Sequence, residues 1–129
     1  MEMNKVYLGD CLELMKEIPD KSIDMILCDL PYGTTSCSWD IIIPFEPLWK
    51  EYERITKDNA AIILTGSEPF SSYLRLSNIK YYKYDLYWKK EKPTNFFQLK
   101  RRFGKCTENI MVFYKKQPTY NPQKIRHTG

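Results

Sequence analysis

Histidine, clustered glycine and long apolar runs are what this 129-residue sequence lacks. Its one histidine, His127, lies near the end, and Cys11, Cys28, Cys37 and Cys106 are each more than four residues apart. Zinc knuckles need closer ligand spacing, so the expectation is free thiols in a reducing compartment and no metal. No apolar run approaches the roughly 20 residues of a membrane span. The opening MEMNKVYLGD lacks the basic-then-apolar order of a secretory signal. A cytoplasmic protein without a membrane partner is expected. Five glycines, at 9, 33, 66, 104 and 129, stand far apart and exclude a glycine-rich loop. No repeat, low-complexity tract or linker divides the chain, so residues 1–129 read as a single domain.

What is present is globular: 43% hydrophobic and 28% charged residues, in a chain long enough for a hydrophobic core. Charge is unevenly spread. Residues 1–65 hold 6 Lys+Arg against 12 Asp+Glu, and residues 66–129 hold 14 against 4. The halves therefore carry −6 and +10. A basic half of that size suits a polyanion, nucleic acid being the commonest, although a solvated lysine-rich face has the same composition.

Periodicity predicts the elements. KVYL (5–8) reads as a short strand, followed by a helix capped at Asp10, with Cys11, Leu14, Met15 and Ile18 on one face. SIDMILC (22–28) and AAIILT (60–65) read as strands covered on both sides. Leu48, Trp49, Tyr52 and Ile55 place an amphipathic helix over 46–57, and a third helix runs from Pro69 to about Leu76. Residues 82–90 and 109–116 are two longer strands joined by a basic, aromatic loop. The alternation predicts an α/β fold: a mostly parallel, doubly wound sheet with helices on both faces. Ligands of such sheets bind beyond the carboxyl ends of the strands, the rim that holds Asp10, Asp29 and Thr65-Gly66-Ser67.

At that rim stands Asp29-Leu30-Pro31-Tyr32-Gly33. Pro31 fixes its own φ and keeps Leu30 extended. The turn can aim the Asp29 carboxylate and the Leu30 carbonyl into one small space, with the Tyr32 ring as a flat wall. Two acceptors and an aromatic face suit an exocyclic amino group on a planar base. A strand-terminating turn with a capping aspartate is the plainer alternative.

The segment resembles the Asp-Pro-Pro-Tyr signature of the amino-group DNA methyltransferases, with leucine at the second position. GDCLELMKEIPDKSIDMILCDLPYG resembles the start of the class in which this motif precedes the cofactor loop. GSEPFSSYL and ENIMVFYKKQPTYNPQ read like phage and bacterial members, including restriction-modification enzymes. The resemblance implies a partial Rossmann-like fold and methyl transfer from S-adenosylmethionine to adenine N6 or cytosine N4, aspartate at the first position being more typical of adenine enzymes. It implies Asp29, Leu30, Pro31 and Tyr32 as catalytic residues, and Asp10, Cys11 and Asp29 as cofactor-binding. The partner it implies is double-stranded DNA with the target base flipped out of the stack. A cytosine-C5 enzyme would need a cysteine nucleophile near the base, a place neither Cys28 nor Cys37 obviously takes.

Lys89, Lys92, Lys100, Arg101, Arg102 and Lys105, interleaved with aromatics such as Phe96, form the expected nucleic-acid surface. A lysine-rich loop pinned by core phenylalanines is the alternative. The family's Phe-x-Gly-x-Gly cofactor loop, expected toward the C-terminus, is absent. Residues 1–129 therefore read as the catalytic half of a methyltransferase, with 117–129 the start of a truncated target-recognition region. A second chain or a missing C-terminal half would supply the cofactor loop. The alternative function is a truncated, non-catalytic DNA-binding or partner module derived from such an enzyme. An RNA or protein amino-methyltransferase, built on similar motifs, is a third possibility.

Overall fold

The computed structural model describes residues 1–93 and 95–127, and the side chain of Phe96 lies outside the described residues. In chain order the elements are α1 (Cys11–Leu14) continued by a 3-10 turn (Met15–Glu17), β1 (Ile23–Asp29), α2 (Phe45–Ile55) and β2 (Thr56–Gly66). Then come α3 (Phe70–Ser77), β3 (Tyr82–Lys89), a 3-10 turn (Phe96–Gln98) and β4 (Thr107–Phe113). The four strands form one sheet in the order β1-β2-β4-β3. β1 and β2 are parallel, and β4 is antiparallel to both β2 and β3. Three strands thus point one way and β4 inserts against them. The segment between β3 and β4 returns the chain to the neighbouring position, where β4 pairs antiparallel with β3 without a helical crossover.

The α/β expectation holds, and two details differ. Residues 5–8 form no strand: Val6 and Leu8 are fully exposed, and these residues join no sheet among the described residues. An alternating apolar pattern needs an adjacent strand to become one, and the described residues supply none. The second difference concerns the faces. Ile62 and Leu64 of β2 and Met111 and Phe113 of β4 pack with Leu48, Trp49, Tyr52, Phe70 and Leu74 of the helices in one core. On the opposite face Met25 and Leu27 of β1 and Tyr84 and Leu86 of β3 are exposed. Among the described residues the helices cover one face, where the sequence pattern predicts two.

The buried residues of α2 follow its period. Leu48, Trp49, Tyr52 and Ile55 all face the core, and Pro47 sits in the first turn, where no amide donor is needed. The Arg54 guanidinium binds the carbonyls of Met15 and Ile18 and the carboxylates of Glu51 and Asp20. It thereby ties the α1 segment to α2. No helix among the described residues is long and apolar enough to cross a membrane, and no group of three or more His, Cys, Asp or Glu among them could hold a metal ion.

Candidate active site at the carboxyl rim

Asp29 is the last residue of β1 and sits opposite Thr65 near the end of β2. Parallel register places the two side chains on the same face, and they meet. Thr65 donates its hydroxyl to Asp29 Oδ1 at 2.6 Å. The Tyr32 hydroxyl lies 3.0 Å from that oxygen and 3.0 Å from Thr65 Oγ1. Oδ1 is therefore held on one side. Oδ2 accepts no hydrogen bond among the described residues, and Asp29 is exposed.

Leu30 is buried in the core, which leaves its main chain as what it can offer the rim. A cavity of about 340 Å³ is lined by Asp29, Leu30, Pro31, Tyr32, Trp39 and Asp40, among others. Tyr32 stacks on Phe70 with centroids 5.1 Å apart. Burial pushes its phenol above the usual range, so the hydroxyl stays protonated and remains a donor.

Sequence reading missed two residues here. The sequence puts Thr65 on the rim without giving it a role. The other is Asp40, which is buried and accepts three hydrogen bonds from the loop after Tyr32. Its Oδ1 takes the amide of Gly33 at 2.9 Å, and its Oδ2 takes the amide and hydroxyl of Thr35 at 2.7 and 2.6 Å. These bonds, the Thr35 hydroxyl foremost, hold its carboxyl below the usual carboxylate range. Gly33 adopts φ +72°, a left-handed conformation, and a Cβ there would meet Ile42 Cγ1 at 3.0 Å. The only signal in the sequence is an aspartate closing a short polar loop, a pattern too common to single out. Asp40→Ala strands those donors and is expected to cost about 1–3 kcal/mol in urea unfolding, with lost exchange protection at the Gly33 and Thr35 amides.

Asp10 caps α1, its carboxylate accepting from the Leu12 amide at 2.9 Å. With Cys11 it borders a cavity of about 380 Å³ whose other walls include Pro31, Trp39 and Ile43. Pro31 and Trp39 line this cavity and the Asp29 cavity alike, so the two are neighbours. Burial pushes the Cys11 thiol up, which keeps it neutral.

The basic segment divides. Arg102 and Lys105 reach a third cavity of about 470 Å³, shared with Tyr32, Ser67 and Glu68. Lys89, Lys92, Lys100 and Arg101 are exposed and line neither this cavity nor the two others. Phe96 begins the 3-10 turn of the same loop. Glu68 Oε2 accepts the amide and hydroxyl of Ser72, and Glu68 Oε1 pairs with Arg75 at 2.8 Å, so its carboxylate is largely occupied.

The α/β sheet thus presents an open carboxylate oxygen beside a Leu-Pro-Tyr turn at its carboxyl rim, and the comparisons bear out the resemblance read from the sequence. Type II methyltransferase M1.MboII of Moraxella bovis is 25% identical over 140 residues, covering 98% of this chain and 52% of its own length. Type II methyltransferase M.HinfI of Haemophilus influenzae is 28% identical over 156 residues, covering 97% and 43%. The chain thus spans about half the length of the curated relatives it matches. No family model matches it. Among solved structures, the cytosine-N4-specific PvuII DNA methyltransferase aligns with a TM-score of 0.67 at 15% identity, over 87% of this chain and 49% of that one. M1.HpyAVI in complex with SAM aligns with a TM-score of 0.67 at 20% identity, over 95% and 60%. The structural likenesses show a shared fold.

Proposed function

We propose that the chain is the catalytic half of an S-adenosylmethionine-dependent DNA methyltransferase acting on an exocyclic amino group, most consistent with adenine N6. The observation that carries this reading is Asp29, with Oδ1 held by Thr65 and Tyr32 and Oδ2 open to the cleft. An aromatic amine shares its lone pair with the ring and is a poor nucleophile. Asp29 Oδ2 and the Leu30 carbonyl accept its two N–H hydrogens, which turns the nitrogen toward tetrahedral geometry. Asp29 then stabilises the positive charge that develops on the nitrogen. Tyr32, in the wall of the cleft, replaces part of the stacking lost when the base leaves the duplex.

The Asp10–Cys11 cavity offers an indole, apolar walls and one carboxylate, a donor set that fits an adenosine ring and its ribose hydroxyls. S-adenosylmethionine, bound there, supplies the methyl group. Arg102 and Lys105 face the cleft as phosphate contacts, with Lys89, Lys92, Phe96, Lys100 and Arg101 extending that surface along the duplex. Residues 117–129 begin the target-recognition region, of which 117–127 are described and form no helix or strand. Since the solved neighbours include an N4-specific enzyme, adenine rests on aspartate at the first motif position.

Incubating the chain with methyl-labelled S-adenosylmethionine and unmethylated DNA, followed by nucleoside chromatography, tests the reading. Label in N6-methyladenine supports it; label in N4-methylcytosine corrects the base. DNA binding without detectable S-adenosylmethionine binding in titration calorimetry would favour a non-catalytic module, a reading supported by the scattered glycines. Thr65→Val removes the hydroxyl that orients Asp29 without changing side-chain shape. It is expected to lower kcat by about tenfold with little change in KM for DNA, and Thr65→Ser to restore most of the rate.

A further inference from the structure

The chain holds three tryptophans, and two of them have partners. Trp49 is buried against Phe113 with its indole N–H donating to Ser77 at 2.7 Å, and Trp88 has the Lys90 ammonium 5.1 Å from its ring centre. Trp39 has neither kind of contact among the described residues and is 73% exposed. Its backbone is nevertheless anchored. The adjacent Asp40 is buried, donates its amide to the Cys37 carbonyl at 3.1 Å and holds Gly33 and Thr35 through its carboxylate. A closed loop thus keeps an uncovered indole in place.

Position gives that indole a task. Trp39 and Pro31 are the residues common to the Asp29 cavity and the Asp10–Cys11 cavity. When a methyl group passes from a cofactor in one to a base in the other, the reacting sulfur must sit where the two cavities meet, beside this shared wall. The charge around it is of one sign. Asp29 and Asp40 line the first cavity and Asp10 the second, and no Lys or Arg lines either. An aromatic face among carboxylates is the setting in which quaternary ammonium ions are held. A sulfonium is alike in carrying a positive charge and no hydrogen-bond donor, so a ring face and nearby negative charge are what can distinguish it.

We propose that Trp39 determines which form of the cofactor the site retains: its indole holds the sulfonium of S-adenosylmethionine by cation–π attraction and gives the neutral thioether product no such hold. Transfer carries the methyl and the positive charge to the amine nitrogen, which then releases a proton to solvent, and leaves the thioether behind. The attraction ends with that step. Product release and replacement by a fresh methyl donor are thereby favoured. The inference rests on the methyltransferase reading above and deepens it by adding a residue that sorts donor from product. A stray exposed side chain, the plainer account of Trp39, would give no dependence on ligand charge.

The test is titration calorimetry of the full chain with S-adenosylmethionine and with S-adenosylhomocysteine, its thioether product. Wild type is expected to bind the sulfonium about three- to tenfold more tightly than the thioether. Trp39→Leu brings the two affinities within about twofold of each other, chiefly by weakening the sulfonium, whereas Trp39→Phe keeps a ring face and most of the preference. Trp39 is exposed, so both variants fold, as circular dichroism checks. Equal affinity of wild type for the two ligands, equal weakening of both by Trp39→Leu, or a preference that survives this substitution overturns the role of Trp39 and leaves the methyltransferase reading standing. Wild type that binds neither ligand refutes the cofactor reading of the Asp10–Cys11 cavity, and the inference falls with it.

Discussion

Asp29→Ala is expected to reduce methyl transfer by at least about 10²–10³-fold while leaving DNA affinity nearly unchanged. The carboxylate is exposed at the rim, with one oxygen fixed by Thr65 and Tyr32 and the other open. On the proposed mechanism its removal takes away both an acceptor for the amine and the negative charge that stabilises the transition state. Neither interaction grips the duplex, so the loss falls on kcat. Radiolabel incorporation gives the rate and fluorescence anisotropy gives the affinity. Full turnover by the variant would sink the assignment of this turn as catalytic.

The second large effect concerns stability. Arg75 of α3 pairs with Asp85 of β3 at 2.6 Å, and the Asp85 side chain is only 5% exposed. Tyr82 and Asn109 also donate to that carboxylate. Arg75→Met leaves a buried charge without its cation and is expected to cost about 3–5 kcal/mol in urea unfolding. Burial opposes ionisation of Asp85, but the hydrogen bonds of Arg75 and Tyr82 outweigh it and hold the carboxyl below the usual range. A group whose folded pKa is depressed stabilises the fold above its unfolded value, near 3.9. That contribution disappears as pH falls through the folded value. Wild type therefore loses stability below about pH 4 through this group, and the variant shows a smaller acid-dependent loss. Equal unfolding midpoints for the two proteins at neutral pH would contradict the burial of this pair.

Much of the fold was legible because its signals are local. Leu48, Trp49, Tyr52 and Ile55 repeat at the helical period, and all four are buried. The apolar runs at 22–28 and 60–65 fall within or overlap β1 and β2. Pro31 after Asp29 marked the one turn where an aspartate and an aromatic ring share a strand end. Thr65 escaped notice as a functional residue because its partner, Asp29, is 36 positions away. Asp40 escaped because its value lies in three specific donors, which only the closed loop supplies.

The fate of the apolar alternation could not be read from either end. Met25 and Leu27 carry the same pattern as Ile62 and Leu64, yet the first pair faces solvent and the second pair the core. Hydrophobic periodicity marked the strands and helices that form, since each element's pattern is written in consecutive side chains, but it also marked residues 5–8, which form no strand. Tertiary structure alone decided which faces are covered and which carboxylates are held. Burial depends on what packs alongside, and a hydrogen bond needs both partners brought within about 3 Å.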